Sequence, residues 1–362
     1  MINIKIGDCL EVLKTLPKNH FDTVVTSPPY YGLRDYNTGT WVGGDPNCPH
    51  KRLTKISKDT ATGHANMYDH GDVVGDAIYR QKCPICGAER KDSQIGLELT
   101  PQDYVTRLVE VFRGVRDTLK EDGTVWLNLG DTYHNYRADG LNVKQTLHKD
   151  KHDQPEVSPN RANKIQGLKE KDLMGIPWRV AFALQEDGWY LRQDIIWHKP
   201  NPMPESVKDR CTKAHEYIFL LSKNSHYYFD NEAIQEEAKD WGTRDRSNGK
   251  YHNEGTGLSP HTGLEKSYET KNKRSVWTVN TKPYKEAHFA VFPTDLIEPC
   301  IKAGCPKDGH VLDPFGGSGT TGLVADRLNR NATIIELNKD YVEIAEDRLM
   351  GETPLFTKVN IK

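Results

Sequence analysis

Short apolar runs alternate with amphipathic stretches along the chain, and the alternation predicts strands and helices in turn. Residues 2–6 (INIKI) read as a short strand, and 9–16 (CLEVLKTL) carry helical spacing. FDTVVT at 21–26 is a second strand centred on Val24 and Val25, and it runs straight into SPPYYGLRDY. Pro101 to Leu119 is an amphipathic helix: Thr100 stands where a cap is needed, and Tyr104, Leu108, Val111, Phe112 and Val115 share one face. After a turn expected at Asp122-Gly123, TVWLNLGD (124–131) is nearly continuous in apolar residues, as a buried parallel strand requires. A helix follows Pro177 (WRVAFALQEDG), then two strand candidates, WYLRQDIIWHKP and HEYIFLLSKN. From Pro293 a helix (TDLIEPCIKAG) leads to HVLDPFGGSGTTGLVADRL and NATIIELNKDYVEIAEDRL, which read as strand, Gly-rich loop, helix, strand, helix. Strands alternating with helices predict an open α/β sheet, mostly parallel. Residues 37–100, 134–170 and 230–275 break the pattern: they are polar, with few large aliphatics, and read as insertions.

Those insertions explain an apolar content of 36% and a mean hydropathy of -0.72 over 362 residues. The net charge is -2 and the isoelectric point about 6.7, which excludes binding nucleic acid by bulk positive charge. Any such contact must come from local basic patches. No run approaches the ~18 apolar residues of a membrane span, and MINIKIGDCL has no signal-peptide pattern, so a cytoplasmic protein without membrane contact is expected. Seven cysteines in such a chain are reduced thiols or metal ligands rather than a disulfide framework.

Two segments carry candidate chemistry. In HVLDPFGGSGTTG (310–322) a strand ends at Asp313, and Gly316, Gly317 and Gly319 then open a helix. Such glycines let backbone N–H groups approach a ligand closely. The next strand ends in Glu336, where a carboxylate commonly binds ribose hydroxyls. Together they favour a nucleoside-containing cofactor; the loop lacks GxGxxG and a phosphate-binding lysine, which disfavours NAD and ATP. In VVTSPPYYGLRDY (24–36) a strand ends in two prolines, which fix φ and remove two N–H donors. The Ser27 hydroxyl, the free carbonyls and the Tyr30 ring then suit a planar group bearing an NH2, such as a flipped base with an exocyclic amine.

A third cluster lies in the first insertion. Cys48-Pro49-His50 and, further on, Cys83-Pro84-Ile85-Cys86-Gly87 offer the halves of a tetrahedral zinc site, with His64 and His70 as competing ligands. The segment lacks a hydrophobic core, so a structural Zn2+ at Cys48, His50, Cys83 and Cys86 would explain how it folds; unligated thiols on a loop are the alternative.

Ser27-Pro28-Pro29-Tyr30 and Asp313-Pro314-Phe315-Gly316-Gly317-Ser318-Gly319-Thr320 closely resemble the two defining motifs of the DNA amino-methyltransferases, the N4-cytosine and N6-adenine enzymes. The catalytic motif precedes the cofactor motif, which is the β-class order. The resemblance implies a Rossmann-like class I S-adenosylmethionine-dependent methyltransferase sheet, circularly permuted, with residues 2–6 as its third strand. It implies a catalytic part at 1–36 and 97–229, a zinc-bearing insertion at 37–96, a target-recognition region at 230–285 and a cofactor-binding part at 286–362. It also implies site residues. Ser27, Pro28, Pro29 and Tyr30 would hold and activate the target amine. Asp8 and Cys9 would meet the adenine of the cofactor, and Glu336 its ribose. Phe315, Gly316, Gly317, Gly319 and Thr320 would form its loop, Asp313 or a nearby carbonyl would accept from its amino group, and Thr294, with Asp295 and Leu296, would meet its carboxylate. Thr-Ser-Pro-Pro-Tyr is usual for N4-cytosine enzymes and Asp-Pro-Pro-Tyr for N6-adenine enzymes, so N4-cytosine is expected. The implied partner is duplex DNA, in a bacterial or phage-infected cell; any cognate restriction endonuclease would be a separate protein, and the enzyme would be a monomer or homodimer. Arg244, Arg246, Lys250, His252, Lys266, Lys271, Lys273 and Arg274 in the recognition region would meet phosphates and base edges. Asn128 and Asp131 either line the pocket or cap; Trp197 to Pro202 either shapes the base pocket or is a polar turn.

Overall fold

The computed structural model of the protein describes residues 1–32, 36, 38–50, 82–134, 165, 167–238, 269–282, 291–352 and 359–361. The strands are β1 (Ile2–Ile6), β2 (Phe21–Thr26), β3 (Thr40–Val42), β4 (Glu89–Lys91), β5 (Leu119–Leu129), β6 (Tyr190–His198), β7 (His215–Ser222), β8 (Glu236–Glu237), β9 (Thr270–Lys271), β10 (Val276–Thr278), β11 (His310–Asp313), β12 (Asn331–Glu336) and β13 (Val359–Ile361). The helices are α1 (Cys9–Thr15), α2 (Pro101–Thr118), α3 (Ile176–Glu186), α4 (Thr294–Gly304), α5 (Thr320–Arg327) and α6 (Lys339–Glu352). Among the described residues no helix is long and apolar enough to cross a membrane.

Nine strands form one sheet in the order β10-β6-β7-β5-β2-β11-β12-β1-β13. Pairing is parallel except where β7 runs antiparallel between β5 and β6. The strands alternate their side chains between two cores. Val24, Val125, Leu127 and Leu312 pack with α1, α2 and α3 on one face. Val25, Trp126, Val311 and Ile334 pack with α4, α5 and α6 on the other. All six residues of β2 are buried, as a strand covered on both faces must be.

The connections show the permutation. β11 and β12 come late in the chain yet lie at the middle of the sheet; β1, at the start, pairs outside β12 from Ile2↔Ala332 to Ile6↔Glu336. From β11 the chain passes through α5 to β12 on one side. From β2 it passes through α2 to β5 on the other. β2 and β11 are therefore neighbours whose connections leave in opposite directions, paired at Thr23↔Val311 and Val24↔Leu312. Open α/β sheets bind their ligands at such a switch point, beyond the carboxyl ends of the strands.

Three features differ from the sequence reading. The turn expected at Asp122-Gly123 is a bulge inside a longer β5: Phe21 pairs with Leu119 and Thr23 already with Thr124. Val276–Thr278, expected within the recognition region, adds a parallel edge strand to β6. Val359–Ile361 adds the opposite edge, alongside β1.

Candidate active site

The loops after β2 and β11 open onto one cavity of about 890 Å3, within the size range of small-molecule sites. Asp8, Cys9, Ser27, Pro28, Pro29, Tyr30, Phe315, Gly316, Gly317, Thr320 and Glu336 all line it. The switch point brings these residues together from both ends of the chain.

Around the Ser-Pro-Pro-Tyr loop the polar groups form a network. The Tyr30 hydroxyl donates to Glu216 Oε2 at 2.7 Å and lies 3.1 Å from Asn128 Oδ1, to which Ser27 Oγ donates at 3.3 Å. Asn128 Nδ2 donates to the Tyr217 carbonyl at 3.0 Å, and Lys199 Nζ pairs with Glu216 Oε1. Burial, with the charge of Glu216 behind it, pushes the Tyr30 phenol well above its usual range, so it stays neutral. Tyr104 donates to the Pro29 carbonyl at 2.9 Å, which fixes the proline turn. Asn128 and Asp131 both line the cavity, and Asp131 also accepts from Gly175 N and Ile176 N, so it caps α3 as well. Trp197, Lys199, Asn201 and Pro202 are in the wall.

The cofactor-side loop is set by glycine. Gly317 and Gly319 adopt φ of 50° and 76°, a region other residues enter at a cost. A Cβ on Gly316 would stand 3.0 Å from Ile334 Cβ and 3.2 Å from the Ile335 carbonyl. Gly317 N donates to Glu336 Oε2 and Asn338 N to Glu336 Oε1, each at 2.8 Å. Burial nonetheless raises the Glu336 carboxyl above its ordinary range. Asp8 caps α1 through Leu10 N at 2.8 Å. Burial pushes the neighbouring Cys9 thiol up to about 12, so it is not a thiolate.

Three expected cofactor residues are not among those lining the cavity. Asp313 lies beneath it, 1% exposed, and accepts from Thr26 Oγ1 at 2.6 Å and Thr321 Oγ1 at 2.7 Å, with Phe315 N at 3.0 Å. Through these donors its carboxylate ties β2, β11 and α5 together. Gly319 turns the chain into α5 against Ala345. Thr294 opens α4 and donates to Asp295, which pairs with Lys282; nearby it is Phe292 that reaches the wall. Glu216, Lys213 and His215 also line the cavity, and the sequence reading missed them. A charged pair at the start of the apolar run HEYIFLL was the available signal.

In the first insertion, one ligand atom each from Cys48, His50, Cys83 and Cys86 lies within 4.8 Å of the others. His64 and His70 fall outside the described residues, as do Arg244, Arg246, Lys250, His252 and Lys266 of the recognition region. Lys273 and Arg274 pair with Glu236.

The family model described as DNA methylase, N6_N4_Mtase, matches residues 21–347. The chain is 40% identical to the Type II methyltransferase M.SmaI of Serratia marcescens over 96% of this chain and 90% of that protein. It is 40% identical to the Type II methyltransferase M.Cfr9I of Citrobacter freundii over 96% and 87%. Among solved structures, the PvuII DNA methyltransferase (cytosine-N4-specific) superposes with a TM-score of 0.55 at 18% identity, over 97% of this chain and 86% of that one. A putative DNA modification methylase of Thermus thermophilus, complexed with S-adenosyl-L-methionine, gives 0.54 at 18%, over 100% of each. These two likenesses show the fold, the class I methyltransferase sheet. With a family model over most of its length and relatives at 40% identity, the chain belongs to the N6_N4_Mtase family of DNA methylases.

Proposed function

We propose that this DNA methyltransferase transfers the methyl group of S-adenosylmethionine to the exocyclic N4 amine of cytosine in duplex DNA. The observation that carries the reading is one cavity at the β2/β11 switch point, lined by both the proline-turn loop and the Gly-rich loop. A cofactor held at one end meets an amine held at the other.

On this reading Glu336 takes the ribose hydroxyls, Asp8 and Cys9 border the adenine, and Phe315 packs by the methionine part. Asp313 acts from below by fixing Phe315 and the ends of both strands. The sulfonium of the cofactor supplies an already activated methyl, so the protein has little acid–base chemistry to do. Tyr30 stacks the flipped base, its hydroxyl anchored on Glu216. Ser27 Oγ and the Pro28 carbonyl accept the two amine hydrogens, draw the nitrogen toward sp3 and expose its lone pair. With the cofactor bound, the new N–C bond would form as its S–C bond breaks, and the extra proton on nitrogen would leave to water. Positioning supplies most of the rate. Thr-Ser-Pro-Pro-Tyr, the pattern usual for N4-cytosine enzymes, is what favours cytosine. Residues 230–285, in which Glu236–Glu237 pair with Thr270–Lys271, are the segment we assign to reading the DNA. The reading also includes a structural zinc ion on Cys48, His50, Cys83 and Cys86; four protein ligands leave no open position for chemistry.

The test is nucleoside mass spectrometry on DNA incubated with the protein and isotopically labelled S-adenosylmethionine. Labelled N4-methylcytosine is expected. Labelled N6-methyladenine would keep the site and overturn the use of Ser27 to choose the base. No label in DNA across varied sequences would overturn the assignment.

A further inference from the structure

We infer that the Cys48/His50/Cys83/Cys86 site is a clasp for the methyl-transfer cavity, so that zinc occupancy sets cofactor affinity. The inference rests on the cofactor and zinc assignments above. The cluster has the build of a metal site. Three thiols and one imidazole are soft donors that suit zinc rather than magnesium or calcium. Cys48 Sγ and Cys83 Sγ stand 3.7 Å apart; two thiolates on one tetrahedral zinc, each ~2.3 Å from it, are separated by roughly this distance. His50 stacks on Trp41 with its Nε2 buried and without a hydrogen bond. Gly44, at φ +71°, passes so close that a Cβ there would meet Cys86 Sγ at 2.8 Å. Cys83 N donates to Ala88 O, and Gly87 N to Cys83 O, closing the knuckle.

From the cluster a chain of fixed contacts leads to the cavity. β3 and β4 pair directly beside it, from Val42↔Glu89 to Thr40↔Lys91. Arg90 pairs with Asp92 at 2.9 Å, both nearly buried. Asp92 Oδ1 accepts from Thr38 Oγ1 at 2.7 Å and Gln94 N at 3.0 Å, and Gln94 Oε1 accepts from Tyr36 N at 2.7 Å. Tyr36 O in turn accepts from Asn338 Nδ2 at 3.1 Å, next to the amide that binds Glu336. Tyr36, Thr38 and Gln94 line the cavity with Glu336. On the other side Gly96 O accepts from Gly32 N at 2.8 Å, just past the Ser-Pro-Pro-Tyr loop. The two strands that carry this wall have three residues each and mostly exposed side chains. A two-stranded hairpin of that kind is marginal by itself, and a metal can supply its folding energy. β3 and β4 form a sheet of their own, apart from the nine-stranded one, so losing the metal should loosen the wall and spare the core.

The test begins with elemental analysis of protein purified without added metal, where about one zinc per chain is expected. Chelator-stripped protein should keep its far-UV circular dichroism yet bind S-adenosylhomocysteine at least tenfold more weakly in calorimetry, and Zn2+ but not Mg2+ should restore the affinity. Asp92→Ala should retain its zinc and lose affinity similarly. Protein that neither contains nor takes up zinc would overturn the metal site and the clasp together. Stripped protein with undiminished affinity would leave the zinc and sink the clasp. If stripping unfolds the whole chain, Asp92→Ala decides: full zinc with unchanged affinity refutes the proposal. Zinc-loaded wild type that binds no S-adenosylhomocysteine would overturn the cofactor reading, and the clasp with it.

Discussion

Asp313 ends β11 with three donors on its carboxylate and almost no exposure, and burial still raises it from 3.8 to about 6. Burial outweighs the hydrogen bonds because each donor offsets only part of the lost hydration. An acid raised on folding destabilises the native state progressively as pH rises from its unfolded value through its folded one. The contribution of Asp313 should therefore fall between about pH 4 and pH 6 and stay constant above. Denaturant titrations of wild type and Asp313→Asn should show the difference, variant minus wild type, rising across that window and level beyond it. Ser27 acts on the reaction instead. Ser27→Ala should slow methyl transfer roughly ten- to hundredfold, the ~1–3 kcal/mol of one lost acceptor, with S-adenosylhomocysteine affinity unchanged in calorimetry. An equal loss of cofactor binding would refute that division of labour. Ser27 and its prolines were legible because four contiguous residues carry the chemistry. Glu216 was not, since its partner Tyr30 lies 186 positions away and only the sheet brings them together.

At the scale of elements, patterns confined to one strand or helix were readable, and anything set by a distant neighbour was not. The runs for β2 and α2 show their burial in the spacing of apolar residues. β10 and β13 have three residues each and exist because an edge was open to pair with; no local periodicity marks so short a strand. The bulge in β5 sits where Asp122-Gly123 promised a turn: the residues are right for a break, but β2 pairs with β5 on both sides of it, at Leu119 and again from Thr124. The loop into α5 is constrained more sharply. Gly319 takes φ 76°, and a Cβ there would stand 3.0 Å from Ala345 Cβ on α6. Gly319→Ala should cost about 1–3 kcal/mol, read as a lower urea midpoint, and should weaken cofactor binding by displacing Thr320 and Ser318. A midpoint within error of wild type would show that α6 yields at that contact.

For the whole molecule, the open α/β class followed from strands alternating with helices and the permuted order from the order of the two motifs, and the sheet confirms both. The polar insertions were visible as a loss of periodicity, but not how their ends attach. The thiols of Cys48 and Cys83, which flank residues 51–81 in sequence, lie 3.7 Å apart. Replacing residues 51–81 with a short Gly/Ser linker should therefore preserve zinc content and cofactor affinity. A chain that loses its zinc would show that ligands come from within the stretch removed.

The adjacency of β2 and β11 also governs how the protein comes into being. Thr26 and Asp313 share a hydrogen bond across 287 positions. At ribosomal speeds of ~5–20 residues per second, roughly 15–60 s separate the synthesis of these neighbours. Throughout that interval β1, which buries Ile2 and Ile4, and β2, which buries Phe21, Val24 and Val25, lack the strands that belong between them. The nascent chain thus spends most of its synthesis with the centre of its sheet missing, and neither binding loop can close on a ligand until the last strands arrive.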